Sequence, residues 1–396
     1  DFMIDNKMGD SGMEDNRIQD NRMEDKEDYL STLNERQLDA VTTTEGYVRI
    51  IAGAGTGKTK ALTHRYAYLV NELGISTSNI LCVTFTNKAA REMSKRIRQM
   101  IGDSDTGYIC TFHGFCVKLL REDIHAINFP QNFVVMDDED TEEILKTVYE
   151  NAHIQSRTYT FDSARDHITA LKSQMLHIPY LAEIGNEKLL ADYEKAEKVE
   201  DKVFLGYLYE QKKVYGLDYD DLITIALYIL QTDETKRIKW QERMMYVMVD
   251  EFQDVSNSQY ALAEILSGYH RNLFIVGDPD QTIYTWRGAQ IEYILEFDET
   301  HENTRTIFLD MNYRSTPEIL AVSNSLIEKN KKRLPHRLEA YKESGRRPIY
   351  IHSRTTGDEA QWMTSEIQRL VSEGVSYNEM AVLYRSHFVS RNIEES

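Results

Sequence analysis

From Tyr47 onward, apolar residues gather in short runs that end in glycine or polar residues before a stretch with helical spacing begins. The run "YVRIIAG" (47–53) reads as a buried strand that breaks into a glycine turn. Behind it Leu62, Tyr66, Leu69, Val70 and Leu73 fall on one helical face, and Gly74 supplies a C-terminal stop. The runs "ILCVTFT" (80–86), "YICTFH" (108–113), "MMYVMVDE" (244–251) and "LFIVGD" (273–278) repeat the strand pattern. Strands alternating with helices predict an α/β fold with a parallel sheet and ligands at the strands' carboxyl ends. Between Val117 and Gly216 the pattern changes to long amphipathic stretches such as "NEKLLADYEKAEKVEDKVFLGYLYEQKK" (186–213), which predicts a helical insertion. A second α/β segment is expected to start near "TRTIFLD" (304–310) and to continue through "RRPIYIHS" (346–353) and "EMAVLYRS" (379–386).

A length of 396 residues fits two or three domains rather than one. The expected division is an acidic tail (1–28), a first sheet domain (29–116 plus 216–297), the insertion (117–215) and a partial second sheet domain (298–396). The tail carries ten Asp/Glu against four Lys/Arg and has nothing to bury, so it reads as solvated. The longest apolar stretch, "ITIALYIL" (223–230), is far short of the ~20 residues a membrane span needs. Cys82, Cys110 and Cys116 have no metal-ligand spacing and read as reduced thiols of a cytoplasmic protein. The net charge of −19 gives no hint of nucleic acid, so any DNA contact must follow a local track. One such track is Lys88, Arg91, Lys95 and Arg98, a basic helical stripe that suits phosphates or a solvated face equally.

The stretch "AGAGTGKT" (52–59) follows a strand and opens a helix, the context in which a phosphate loop is credible. Gly53, Gly55 and Gly57 let the backbone of Ala52, Ala54 and Thr56 turn N–H groups toward phosphate oxygens, helped by the helix N-terminus. Lys58 would reach the β- and γ-phosphates, and the Thr59 hydroxyl would ligate Mg²⁺. Ala52 stands where the usual pattern has its first glycine. In "VMVDEFQD" (247–254), Asp250 is placed to hold Mg²⁺, and Glu251 to polarise the attacking water.

In its ordered motifs the chain resembles the UvrD/PcrA/Rep group of superfamily one DNA helicases, from Leu33 to the end. Besides the phosphate loop these are "LNERQLDAV" (33–41), "VTFTNKAAREM" (83–93), "TFHGFC" (111–116), "GLDYDDL" (216–222), "VDEFQD" (249–254), "VGDPDQTIYTWRGA" (276–289) and "NYRS" (312–315). The resemblance implies a RecA-like P-loop NTPase sheet with a helical insertion and a partial second RecA-like domain. It implies ATP and Mg²⁺ as cofactors, and single-stranded DNA and single/double-strand junctions as partners. It gives Gln37 and Lys60 to adenine, Gln281 to the γ-phosphate, Tyr313 to adenine stacking and Arg314 the role of arginine finger. Phe85, Thr111, His113, Tyr284, Trp286, Arg287 and Arg385 fall at DNA-contacting positions, although His387 replaces an asparagine common beside the last.

The family's later motifs V and VI do not occur before Ser396. The resemblance therefore implies the amino-terminal part of a 3′-to-5′ DNA helicase of repair or replication, poorly active by itself. Two further readings stay open at this point: a subunit of an AddA/RecB-like helicase–nuclease, and a non-catalytic DNA-binding fragment.

Overall fold

A computed structural model of the chain describes residues 29–102, 105–386 and 390–395. The expected acidic tail, the Arg287 side chain and His387 lie outside the described residues. The strands are β1 (Tyr47–Ala52), β2 (Ile80–Val83), β3 (Tyr108–Cys110), β4 (Val134–Val135), β5 (Gly216–Leu217), β6 (Tyr246–Val249), β7 (Leu273–Gly277), β8 (Arg305–Leu309), β9 (Met311–Asn312) and β10 (Glu339–Ala340). Six of them form a parallel sheet in the order β3-β2-β6-β7-β1-β8.

The near-continuous apolar runs follow from burial on both faces. In β1, Val48, Ile50 and Ala52 join one buried cluster and Ile51 the other. In β6 and β7 the alternation repeats, with Met248 and Phe274 on one side and Val249 and Ile275 on the other. The second of these clusters continues through Leu145, Ile168, Leu189 and Leu208, so the inserted helices share a core with the sheet. The "ITIALYIL" run lies in the helix Tyr219–Thr232 and is almost wholly buried. No helix among the described residues is long and apolar enough to cross a membrane.

Two expectations need correction. The "TRTIFLD" run does not open a separate sheet: β8 pairs with β1, from Val48↔Arg305 to Ala52↔Leu309. Buried Arg49 pins the preceding segment by donating to the carbonyls of Ile294 and Leu295 at 3.0 and 2.8 Å, to Thr306 Oγ1 at 3.1 Å and to Asp298 at 2.7 Å. By packing, the chain divides between Glu343 and Ser344. Within the second unit the runs at 346–353 and 379–386 are not strands. A strand needs a ladder partner, and neither run finds one; Tyr350 and Leu383 are 85 % and 93 % exposed. That unit is organised instead around the helix Thr356–Ser372, capped by Thr355 Oγ1 on the Asp358 N–H and closed by Arg369 between Glu366 and Glu373.

Candidate nucleotide and nucleic-acid site

The phosphate loop joins β1 to the helix Lys58–Asn71. Gly55 and Gly57 have φ of 76° and 89°, the left-handed region that glycine enters without strain. Gly57 caps the helix without a side-chain acceptor, so the first-turn N–H groups are left for an anion. Thr56 Oγ1 donates to the Gly53 carbonyl at 2.8 Å and tightens the turn.

Gln37 and Lys60, expected at adenine, are otherwise engaged here. Gln37 is buried; its Nε2 donates to the Thr56 carbonyl at 2.9 Å, and its Oε1 accepts from the Asn34 N–H at 3.2 Å. A Cβ on Gly57 would stand 2.5 Å from that Nε2, so glycine is required there for packing as well as for φ. Lys60 Nζ donates to the Thr32 carbonyl at 2.5 Å.

The register of β8 explains how "NYRS" reaches the loop. With Leu309 beside Ala52, the residues that follow are delivered over the phosphate loop. Asn312 Nδ2 donates to the Ala54 carbonyl at 2.5 Å, and the Tyr313 N–H to the Gly55 carbonyl at 2.9 Å. The Tyr313 hydroxyl accepts from Asn34 Nδ2 at 2.7 Å, beside the segment bearing Gln37. Arg314 is exposed, and its Cβ is 2.6 Å from where a Cβ on Gly55 would be.

The two carboxylates follow β6. Lys58 Nζ pairs with Glu251 Oε2 at 2.8 Å. Glu251 adopts φ 49°, a left-handed conformation uncommon for a residue with a side chain. Burial opposes its charge, but Lys58 overcomes this and holds the carboxyl below its usual range. Asp250 is the opposite case: burial and then the Glu251 charge push its carboxyl up to about 6, although it accepts from Thr84 Oγ1 at 3.3 Å. Its position after β6 beside the phosphate loop suits a hard divalent ion, which would favour the ionised carboxylate.

The loop after β7 carries the aromatic residues. Tyr284 stacks on Phe85 with ring centroids 4.7 Å apart, and Trp286 lies 6.2 Å from Tyr284. Trp286 is 71 % exposed. Gln281, expected at the γ-phosphate, donates to Asp278 Oδ2. Phe85, Thr111, His113 and Tyr284 share one cleft of about 590 Å³ with Asp250 and Glu251. In its wall, Thr111 Oγ1 accepts from the Gly114 N–H at 3.1 Å as a helix cap. His113 packs edge-on against Tyr219, and burial lowers its pKa, which keeps the ring neutral. Arg385 is exposed in the second unit. The basic stripe is exposed as well, with Arg91, Lys95 and Arg98 around one shallow concavity.

Sequence reasoning missed Asn34, Gln253, Asp254, Asp278 and Asn312 as members of the site. Each lies inside or beside a recognised motif, but only burial and bonding distinguish it there from an ordinary polar residue.

Two family models cover nearly all the described chain: UvrD/REP helicase N-terminal domain matches residues 33–302, and UvrD-like helicase C-terminal domain matches 307–396. Among curated proteins, the ATP-dependent DNA helicase PcrA of Staphylococcus aureus (strain NCTC 8325 / PS 47) is 38% identical over 368 residues, which is 93% of this chain and 50% of that protein. PcrA of Staphylococcus epidermidis (strain ATCC 12228 / FDA PCI 1200) matches with the same identity and coverage. The chain thus spans about half the length of the curated relatives it matches. It belongs to the UvrD/PcrA/Rep family of DNA helicases.

Proposed function

We propose that this chain forms the ATP-driven motor portion of a DNA helicase, binding ATP with Mg²⁺ and moving 3′ to 5′ on single-stranded DNA at strand junctions. The observation that carries the reading is the 2.8 Å Lys58–Glu251 pair, in a site whose carboxylates share a cleft with Phe85 and Tyr284. The direction of movement comes from the family resemblance alone.

On nucleotide binding, Lys58 exchanges Glu251 for the β- and γ-phosphates, and the helix N-terminus cradles the rest. Thr59 and Asp250 would hold Mg²⁺, which when bound would supply positive charge to offset that of the phosphates. Glu251 then orients and polarises water. Tyr313 stacks on adenine with Gln37 and Lys60 nearby, and Arg314 meets the charge that develops on the transferred phosphoryl group. Gln281 answers to the γ-phosphate. Tyr284 and Trp286 stack on bases, and Phe85, Thr111, His113, Arg287 and Arg385 add further contacts to the strand. Asp138, Asp220 and Asp254 add carboxylates to the cleft wall. A phosphodiester gains nothing there, so bases rather than phosphates face that side.

The reading is tested by titrating the chain separately with a fluorescent ATP analogue in Mg²⁺ and with a fluorescent oligo-dT. Both are expected to bind, and failure of either removes the assignment.

The pH dependence has a definite sign. Without a cation, the raised Asp250 carboxyl binds a proton that the unfolded chain releases. Its contribution to stability is therefore fully present below the unfolded value and is lost as pH rises through about 6. Mg²⁺ requires the ionised form. Apparent affinity for the Mg²⁺–nucleotide is thus expected to fall by up to about tenfold per unit below about pH 6. Asp250→Asn should bind more weakly and lose this slope; a parent protein whose affinity is flat from about pH 5 to about pH 7 overturns the assignment.

A further inference from the structure

Between the carboxylates after β6 and the aromatic loop after β7 lies a buried side chain that has no part in the roles above. Gln253 is 2 % exposed, and both ends of its amide are engaged. Its Nε2 donates to Glu251 Oε2 at 3.0 Å and to Asp254 Oδ2 at 3.3 Å. Its Oε1 accepts from the Asp278 N–H at 3.0 Å, the first residue after β7. The partners fix which way the amide points. Turned over, it would set its NH₂ against a backbone donor and its oxygen against a carboxylate.

The contact at β7 is close enough to constrain the sequence. A Cβ on Gly277 would stand 2.5 Å from Gln253 Oε1 and 3.1 Å from the Phe252 nitrogen, so only glycine lets the segments approach this far. Beyond Gln253 the connection continues in two directions. Asp278 accepts from Gln281 and from the Asp280 N–H, organising the turn that leads to the aromatic residues. Asp254 faces the backbone N–H groups of Ile283 and Tyr284. A displacement of Glu251 therefore meets one rigid, fully bonded amide, and behind it the loop that bears Tyr284 and Trp286.

Nucleotide supplies such a displacement under the functional reading above, on which this inference rests. Glu251 is held by Lys58 on one side and Gln253 on the other. A ligand that takes Lys58 removes the cation and leaves Gln253 as the side-chain donor still bonded to that oxygen. The balance of forces on the amide changes, and with it the anchoring of Asp278. We propose that Gln253 is a positioning residue that links nucleotide occupancy at Lys58 to the grip of the 281–286 loop on single-stranded DNA.

Linkage makes this measurable without hydrolysis. If ATP changes the affinity for DNA by some factor, DNA changes that for ATP by the same factor, commonly about 5- to 150-fold for coupled sites. The affinity of the chain for fluorescent oligo-dT is measured with and without a non-hydrolysable ATP analogue in Mg²⁺, in the parent, Gln253→Met and Gln253→Glu. The first variant fills the same volume and loses every bond. The second keeps an acceptor for Asp278 but places a carboxylate against Glu251. The parent ratio is expected to depart from one by at least about fivefold, and both variants to bring it below about twofold. A purely structural glutamine would weaken both ligands and lower the melting temperature together, leaving the ratio intact. An undiminished ratio in both variants, or two ligands that bind the parent independently, overturns the inference. A parent that binds neither ligand defeats the functional reading instead.

Discussion

Lys58→Ala is expected to abolish measurable binding of an ATP analogue. The loss has two sources that add. One is the missing cation for the phosphates, where a charge-assisted bond contributes roughly 1.5–3 kcal/mol. The other is what the truncation leaves behind. Glu251 pairs with Lys58 at 2.8 Å, and Asp250 beside it already titrates at about 6 because burial and Glu251 disfavour its charge. Without Lys58, two half-buried or buried carboxylates confront the triphosphate with no side-chain cation between them, and that repulsion weakens binding further. At 1.4 kcal/mol per decade the lost contact alone is roughly ten- to hundredfold, and the repulsion adds to it. Lys58→Arg is not expected to rescue it, because a planar fork replaces a point charge in a loop built around the latter. A normal melting curve together with unchanged affinity for a fluorescent analogue would refute the phosphate-site assignment.

The first sheet was legible because most of its strands obey a rule local to each run. The central strands are buried on both faces and run apolar, interrupted in β1 by Arg49, and a glycine or an acid follows β1, β6, β7 and β8, while a threonine follows β2 and β3. The phosphate loop was legible for the same reason, since positive φ at Gly55 and Gly57 leaves its mark on the residues themselves. Pairing is a different matter. "TRTIFLD" reads as a strand, but nothing in it says that its neighbour is β1 rather than the runs further on. The family models change over between 302 and 307, close to the expected boundary, whereas packing keeps β8 and the residues to Glu343 with the first sheet. A strand that follows one domain in sequence and pairs with it in space satisfies both descriptions. The runs at 346–353 and 379–386 show the converse, since strand-like composition does not make a strand without a ladder.

The site divides in the same manner. Asp250 and Glu251 announce themselves by charge at the end of an apolar run, and Lys58 by the glycine-rich turn before it. Gln253 does not, because a glutamine two residues after a strand-end carboxylate looks the same whether it faces solvent or ties two loops together. Gln37 was found through its motif, yet its bonds to the Thr56 carbonyl and the Asn34 N–H depend on a capping box joined to a distant loop.

Trp286→Ala is expected to weaken single-stranded DNA binding by about 1–3 kcal/mol, the contribution of one base stacked on an aromatic ring. The residue is 71 % exposed, so the truncation removes little packing and the melting temperature should barely move. Where the base goes is constrained by the neighbours. Phe85 and Tyr284 are already stacked at 4.7 Å, whereas a base inserted between them needs about 7 Å, two contact distances. A base therefore lies on the outer ring faces towards Trp286, or the two rings part to admit it. Stacking releases no counterions, so the loss should be the same at low and high salt. Arg287→Ala should behave differently, lowering the slope of log affinity against log salt by roughly 0.7 for each phosphate contact removed. Affinities for oligo-dT across a salt series, with thermal melts alongside, separate the two effects. A Trp286→Ala protein that melts normally and binds as tightly as the parent would remove stacking from the loop, leaving its aromatic residues without a part in the grip on DNA.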